Sequence, residues 1–176
     1  MITRVEALGF RCLRRVSQPM DGFHVLIGPN ASGKTTFLDV VAFLGDLVSG
    51  GLEKAVGERT ANFQDLTWRR EGERFELAIE ARILVELRGR LENPAFDTVQ
   101  YEVTLGLESR EVRFETETLT LCTTGSRGPG ASLSAVPDPV VAQQILSRCH
   151  RRFEPSVKSP CLANKRALMR SQVPVM

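Results

Sequence analysis

The sequence predicts an α/β fold in which a mixed, largely antiparallel sheet packs on one long helix near the amino terminus. Three observations predict it. A short apolar run, Phe23–Ile27, has the composition of a buried strand and precedes a glycine-containing loop. Apolar residues then recur at helical spacing from Phe37 to Val48. From Phe75 to Leu121 apolar and polar residues alternate, as in strands with one solvated face.

The loop between the apolar run and the helix carries a motif with a physical mechanism. Residues Gly28, Gly33, Lys34 and Thr35 meet the pattern G-x-x-x-x-G-K-[ST]. Glycines allow the backbone to approach an anion closely, because no Cβ blocks positive φ angles. The helix that begins near Lys34 adds free N–H groups and the positive end of its dipole. With a predicted strand before it and a helix after it, the motif predicts a nucleotide-binding site.

Each residue of the motif has an expected role. Lys34 would bridge the β- and γ-phosphates as a point charge, and it is the candidate catalytic residue. The Thr35 hydroxyl would ligate Mg²⁺, and Thr36 would reach the α-phosphate side. The residues expected to bind the cofactor are Gly28, Pro29, Asn30, Ala31, Ser32, Gly33, Lys34, Thr35 and Thr36.

Residues 1–13 and 25–39 together resemble the amino terminus of the SMC/RecF-like branch of ABC-type ATPases. They look closest to bacterial AAA family ATPases of that branch, which are kin of the OLD-family nucleases. Such proteins open with a strand that ends in a Phe-Arg-like turn, here Phe10-Arg11. A Gly-Pro-Asn-x-Ser-Gly-Lys-[Ser/Thr] loop then follows within the first 40 residues.

The resemblance is specific over residues 1–48 and extends to about residue 122. Gly9 stands where the family usually has Asn, and Ala31 stands where it usually has Gly. The resemblance implies a P-loop NTPase fold, part of an ABC/SMC-like ATPase head, with ATP and Mg²⁺ as cofactors. It also implies dimerisation of two heads on ATP, and contact with DNA.

Charge alone does not announce a nucleic-acid partner, since 23 Lys and Arg against 21 Asp and Glu give a net charge of +2. Basic residues do cluster, and such clusters are usually solvated faces. The clusters are Arg11/Arg14/Arg15, Arg69/Arg70, Arg148/Arg151/Arg152 and Lys165/Arg166/Arg170.

Hydrolysis in this class needs a strand that ends in an Asp for Mg²⁺ and a Glu that polarises water. No two acidic residues are adjacent in this sequence. The nearest imitation, Ile83–Glu86, lies inside the alternating pattern and lacks the Asp. Ser49-Gly50-Gly51 matches part of the ABC signature motif, yet at this position it is typical of a helix C-cap and turn.

Two functions therefore stay open: an ATPase whose stand-alone activity is doubtful, and a non-hydrolysing nucleotide-binding module that another ATPase polypeptide completes. A truncation, a split gene or a frameshift near residues 153–157 would each leave such a half head, and the sequence does not separate them. A P-loop kinase is disfavoured, because alternating strands replace the expected βαβ succession.

We expect residues 1–122 to form the ATP-binding head. Strands are predicted over Phe75–Leu87, from Val99 to Leu107, and from Val112 with a phase slip near Thr116. Glu108–Arg110 is the predicted hairpin loop. Gln64 and Trp68 are interpreted as ordinary sheet residues, although a Q-loop glutamine or a base-stacking aromatic would fall nearby.

Beyond residue 122 the head pattern ends. Residues 123–137, rich in Gly, Ser and Pro, are predicted to be a linker. Asp138-Pro139 has the residues of a helix start, so a helix is predicted to about Arg152, with an irregular tail to residue 176.

Composition bounds the remaining classes. A chain of 176 residues with 42% hydrophobic content is expected to form one cored domain. Four cysteines with no C-x-x-C pair, and two histidines, do not form a zinc pattern. No secretory leader and no apolar run of 18 residues is present, so we expect a cytoplasmic protein without a membrane segment.

Overall fold

The computed structural model describes residues 1–124 and 142–149, the latter as backbone only. Two 3₁₀ turns span Phe63–Leu66 and Trp68–Arg70. The other elements in chain order are β1 (Ile2–Phe10), β2 (Leu13–Pro19), α1 (Lys34–Gly50), α2 (Leu52–Gly57), β3 (Arg74–Arg82), α3 (Val85–Arg88), β4 (Thr98–Glu108), β5 (Glu111–Cys122) and β6 (Ala142–Cys149).

The strands form one sheet in the order β2-β1-β3-β4-β5-β6, and every neighbouring pair is antiparallel. One face carries the apolar members of the alternating pattern, such as Val5, Leu77 and Val103, and these side chains are buried. The fold-class prediction, an α/β structure with a largely antiparallel sheet on the helix after the phosphate loop, is confirmed.

Helix α1 packs on the sheet through an aromatic cluster. Phe43 of α1 contacts Phe10 of β1 and Phe75 of β3, each with a ring-centroid distance of 5.7 Å. Phe63 of the first 3₁₀ turn stacks on Phe75 at 5.5 Å. The remaining buried side chains of α1 recur at helical spacing, at Phe37, Val40, Leu44 and Leu47.

Three local predictions are confirmed. The β4–β5 hairpin turns at Ser109 and Arg110, both with positive φ, as a tight two-residue turn requires. The β4–β5 register shifts between Thr104 and Leu105, opposite the predicted phase slip near Thr116. Gly51, with φ of 85°, ends α1 and donates to Leu47 O at 3.0 Å, so the Ser-Gly-Gly segment is a helix cap and turn.

The prediction of a buried strand at Phe23–Ile27 is wrong. These residues belong to no strand, and Phe23, Val25 and Ile27 are 83%, 63% and 91% exposed. Among the described residues no backbone hydrogen bond joins residues 22–27 to another segment. The apolar composition of the run shows that it could be buried in a sheet. A strand also needs a neighbouring strand to pair with, and composition does not report whether one is present.

Two other element predictions are corrected. The strand predicted over Phe75–Leu87 ends at Arg82, and Val85–Arg88 forms one helical turn instead. The described part of the helix predicted from residue 138 is strand β6, which pairs with β5. Without β6, the outer edge of β5 would have unpaired N–H and C=O groups. The pairing of β6 with this edge outweighs the helix-start signal of Asp138-Pro139.

Some predictions lie outside the described residues or on other elements. Residues 125–141 and 150–176, with most of the predicted linker and the predicted tail, are outside them. Gln64 and Trp68, interpreted as sheet residues, lie in the two 3₁₀ turns. No helix in the described part is long and apolar enough to cross a membrane.

Asp97 joins the ends of three strands opposite the phosphate loop. Its carbonyl accepts from Ile83 N at 2.7 Å, and its carboxylate accepts from Thr124 N at 2.6 Å and from Thr98 Oγ1 at 2.9 Å. Burial by itself would raise the pKa of Asp97. The hydrogen bonds from Thr124 and Thr98, with the charge of Arg88, outweigh burial and lower the pKa below its usual 3.8.

Replacing Asp97 by Asn should therefore destabilise the protein in a pH-dependent way. A carboxyl whose pKa is lower in the folded state stabilises it above the unfolded pKa, and loses that effect as the pH falls. We expect a loss on the order of 1 kcal/mol at pH 7, because the carboxylate is partly exposed. The difference from wild type should shrink below pH 3.8. Thermal unfolding across pH 2.5–7 measures it, with the exposed Glu92→Gln as control; a pH-independent difference would contradict the assignment.

Candidate phosphate-binding site

The phosphate loop, Gly28–Thr36, lies against the turn between β1 and β2. A Cβ atom added at Gly33 would come 3.3 Å from both Cys12 Sγ and Leu13 Cδ2. The Cys12 thiol also donates to Thr36 Oγ1 at 3.2 Å. The β1–β2 turn therefore forms one wall of the loop.

The backbone of the loop reverses direction through two left-handed residues. Ala31 has φ of 62° and Gly33 has φ of 93°. Between them Ser32 N donates to Pro29 O at 3.3 Å, which closes a short turn. Backbone turns that alternate right- and left-handed residues form concave arrangements of N–H groups, which bind anions.

Lys34 lies across the loop. Its ammonium donates to Gly28 O at 2.8 Å, to Pro29 O at 2.7 Å and to Ser32 Oγ at 3.3 Å. All three acceptors are neutral, so none of them compensates the positive charge. The structure thus brings the motif lysine to the loop that the sequence assigned to phosphate.

Helix α1 begins directly at the loop. Phe37 N donates to Gly33 O at 2.8 Å, which is the first hydrogen bond of the helix, and the first turn contains no acidic residue. The N–H groups of the residues before Phe37 have no partner inside the helix, and they carry the positive end of its dipole. Thr35 is exposed at this end. Anion binding is the chemistry that such a helix start favours.

Acidic side chains lie behind the loop, and they are held by arginines. Asp39 lies one helical turn beyond Thr35, where Arg11 Nη1 is 3.2 Å from Oδ2 and Arg59 Nε is 2.8 Å from Oδ1. Sequence reasoning missed this cluster and placed Arg11 only in a basic group. Arg59 is 20 positions from Asp39 in the sequence, and Arg11 is 28 positions from it. The one sequence signal for the cluster was an acidic residue, Asp39, on a helix that is otherwise largely apolar.

Glu86, the nearest sequence imitation of a hydrolytic carboxylate, is remote from the loop. It is exposed on the short helix α3 beyond the far end of β3. The other end of β3 contacts the loop side, where the Phe75 ring lies 5.1 Å from the Phe10 ring. Nine strand residues at about 3.3 Å each separate the two ends. Glu86 therefore does not reach a phosphate held by the loop.

The described residues contain no preformed cluster of metal ligands. Within residues 1–124 no group of three or more His, Cys, Asp or Glu side chains is arranged to hold an ion. Mg²⁺ commonly binds through one or two protein oxygens together with substrate phosphates and water. The exposed Thr35 hydroxyl at the helix start fits a metal that arrives with a nucleotide.

The left-handed loop, the lysine across it and the helix that follows define the P-loop class of proteins. A family model described as "AAA domain, putative AbiEii toxin, Type IV TA system" matches residues 23–133. The chain belongs to this family of AAA-type ATPases, and the resemblance stated from the sequence is confirmed.

Two solved structures of SMC proteins are similar to the chain. One, from work described as "Structural biochemistry of ATP-driven dimerization and DNA stimulated activation of SMC ATPases", is 24% identical with a TM-score of 0.46, and the match covers 69% of each chain. The other is "Crystal structure of the SmcHead bound to the C-winged helix domain of ScpA". It is 25% identical with a TM-score of 0.48, and the match covers 68% of this chain and 35% of that one. No curated protein matches this chain.

Replacing Gly33 by Ala should disturb the loop, whereas the same change at Gly45 should not. A left-handed backbone costs a residue with a Cβ roughly 1–2 kcal/mol, and the new methyl group would crowd Cys12 and Leu13. Nothing lies within 4 Å of a Cβ at Gly45, inside α1, so Gly45→Ala should stabilise by about 0.5–1 kcal/mol. Thermal unfolding of both variants measures this, and equal effects would contradict the loop conformation.

Proposed function

We propose that this protein binds Mg-ATP at the loop Gly28–Thr36. The observation that carries the proposal is the position of the Lys34 ammonium, held by neutral oxygens of the loop at the start of a helix without acidic first-turn residues. An ammonium in this position gains a charged partner when a phosphate enters. The family of AAA-type ATPases supports the choice of ATP.

The residues of the loop divide the work of binding. The N–H groups of the first helical turn would donate to the phosphate oxygens, since no carbonyl of the helix accepts from them. On nucleotide binding, the Lys34 ammonium would leave Gly28 O and Pro29 O and donate to the β- and γ-phosphates instead. The flexible lysine stem makes this a change of side-chain rotamer, without refolding of the loop.

Thr35 is the residue that would hold Mg²⁺, and Thr36 faces the Cys12 thiol on the opposite wall. The metal, when bound, neutralises phosphate charge and orients the β- and γ-oxygens. Thr36 has to share its hydroxyl between Cys12 and the nucleotide, so its expected role toward the α-phosphate competes with a contact already present.

A second candidate function is a nucleotide-binding module that hydrolyses ATP only when another polypeptide completes its site. The exposed run Phe23–Ile27 favours it, since an apolar segment whose backbone pairs with no other described segment is suited to accept a strand. Asp39, the carboxylate one turn behind the loop, is committed to Arg11 and Arg59. A partner strand beside the run would complete the site if it carried a carboxylate that orients water, and a second ATPase head in a dimer is the alternative source of that carboxylate.

Replacing Lys34 by Ala should weaken ATP binding by roughly 10- to 100-fold. The change removes the charged hydrogen bonds that the motif directs at the phosphates, which are worth about 1.5–3 kcal/mol. Calorimetric titration with Mg-ATP measures the affinity. Lys54→Ala, on the surface of α2, is the matched control and should bind as wild type does. If Lys34→Ala retained full affinity, the site assignment would be wrong.

The isolated chain should release phosphate near the background rate, because groups that stabilise the transition state contribute on the order of 10³-fold or more. The double variant Phe23→Ser/Ile27→Ser should keep wild-type ATP affinity and thermal stability, because both side chains are exposed. Phosphate release and unfolding assays measure these outcomes, and Phe43→Ser in the core is the destabilising control. Multiple turnovers by the isolated chain that disappear in Lys34→Ala would contradict the second candidate.

A further inference from the structure

A chain of alternating charges runs from the β1–β2 turn to the end of α2, directly behind the phosphate loop. Its members, called here the Asp39 chain, are Arg11, Asp39, Arg59 and Asp46. Arg59 lies between the two carboxylates, with Nε 2.8 Å from Asp39 Oδ1 and Nη1 2.9 Å from Asp46 Oδ2. Asp39 therefore connects a fixed arginine on one side with Arg11 of the β1–β2 turn on the other.

Arg59 is the most firmly held member of the Asp39 chain. Its side chain is 10% exposed, it donates to Ala55 O at 2.9 Å, and its guanidinium lies 5.1 Å from the centre of the Phe43 ring. Burial works against the charged form, but hydrogen bonds to Asp39 and Asp46 outweigh it and raise the pKa of Arg59. The aromatic core and α2 thus set the position of the Arg59 guanidinium, and through it the position of Asp39.

Arg11 is held more loosely. Its side chain is 33% exposed, and its contact with Asp39 Oδ2 at 3.2 Å lacks the alignment of a hydrogen bond. The backbone of Arg11 is left-handed, with φ of 49°, and its N–H donates to Leu66 O at 2.9 Å. The neighbouring residue is Cys12, whose thiol contacts Thr36 of the phosphate loop.

We propose that Asp39 is a positioning residue of the ATP site: by holding Arg11 it keeps the β1–β2 turn against Gly33 and Thr36, so the loop is formed before nucleotide arrives. The inference rests on the proposed function of the loop. Preorganisation of this kind raises affinity, because the bound conformation does not have to be ordered at the moment of binding. Arg59 transmits the rigidity of the core to Asp39.

A purely electrostatic role and a positioning role of Asp39 predict opposite effects of Asp39→Asn on ATP affinity. Asp39 carries a negative charge one helical turn from the expected phosphates, so its removal should tighten ATP binding if charge alone mattered. If Asp39 positions the turn, its removal should weaken binding. Asp46 offers a matched control, because it lies seven positions further along α1 and its ion pairs are with Arg59 and Lys54, whereas Arg11 pairs with Asp39.

The test compares Asp39→Asn with Asp46→Asn by two measurements. Calorimetric titration with Mg-ATP should show a loss of about 3- to 10-fold for Asp39→Asn and less than about 2-fold for Asp46→Asn. Alkylation of Cys12 by iodoacetamide, resolved by mass spectrometry, should accelerate by a similar factor in Asp39→Asn alone, because the exposed thiol is released from Thr36. Asp39→Glu should restore both properties in part.

Arg11→Gln provides a second route should Asp39→Asn fold poorly. It should accelerate Cys12 alkylation as much as Asp39→Asn does, and the two changes together should add nothing further. ATP binding by Asp39→Asn equal to or tighter than wild type, or an unchanged Cys12 rate, would overturn the proposal. If the wild-type chain did not bind Mg-ATP, the proposed function would fail, and the Cys12 rates would still decide whether Asp39 positions the turn.

Discussion

The packing of α1 on the sheet is the interaction on which the candidate site depends. The contacts of Phe43 with Phe10 and Phe75 fix the helix against β1 and β3. The amino-terminal end of α1 is thereby placed beside the β1–β2 turn, where Gly33 leaves room for Cys12 and Leu13. A bulkier residue at Gly33, or a shifted helix, would separate the loop from its wall.

From this arrangement the electrostatics of the site follow. The first turn of α1 and Lys34 present positive charge to solvent, while the first acidic residue of the helix, Asp39, is held by Arg11 and Arg59. The negative charge that would oppose a phosphate is therefore compensated within the fold. The same ion pairs connect the loop wall to the aromatic core, so charge compensation and rigidity have one structural source.

Much of the fold could be predicted because its signals are local. The loop motif, the Ser-Gly-Gly helix cap and the β5 register shift each depend on residues close together in sequence, and all three are found. The strand at Phe23–Ile27 could not be judged locally, since pairing depends on a neighbour elsewhere. Strand β6 was not predicted for a similar reason: it forms by pairing with the edge of β5, and the local helix-start residues carry no information about that edge.

The candidate site divides in the same way. Its phosphate-facing residues are contiguous and match a motif, whereas the Asp39 chain unites positions 11, 39, 46 and 59 only after folding. Ile83–Glu86 shows the opposite error: its local sequence resembles a hydrolytic strand, but its position in the fold is too far from the phosphate loop for that role. The end of β3 carries Glu86 away from the loop.

Amide hydrogen exchange with and without Mg-ATP tests the central claim most directly, because it reports where the nucleotide binds. The account predicts that slowing of exchange concentrates at residues 28–37, with a smaller effect at the β1–β2 turn, and that Lys34→Ala needs a higher Mg-ATP concentration to show either effect. Unchanged exchange at residues 28–37 under saturating Mg-ATP, or protection confined to the β4–β5 hairpin, would contradict it.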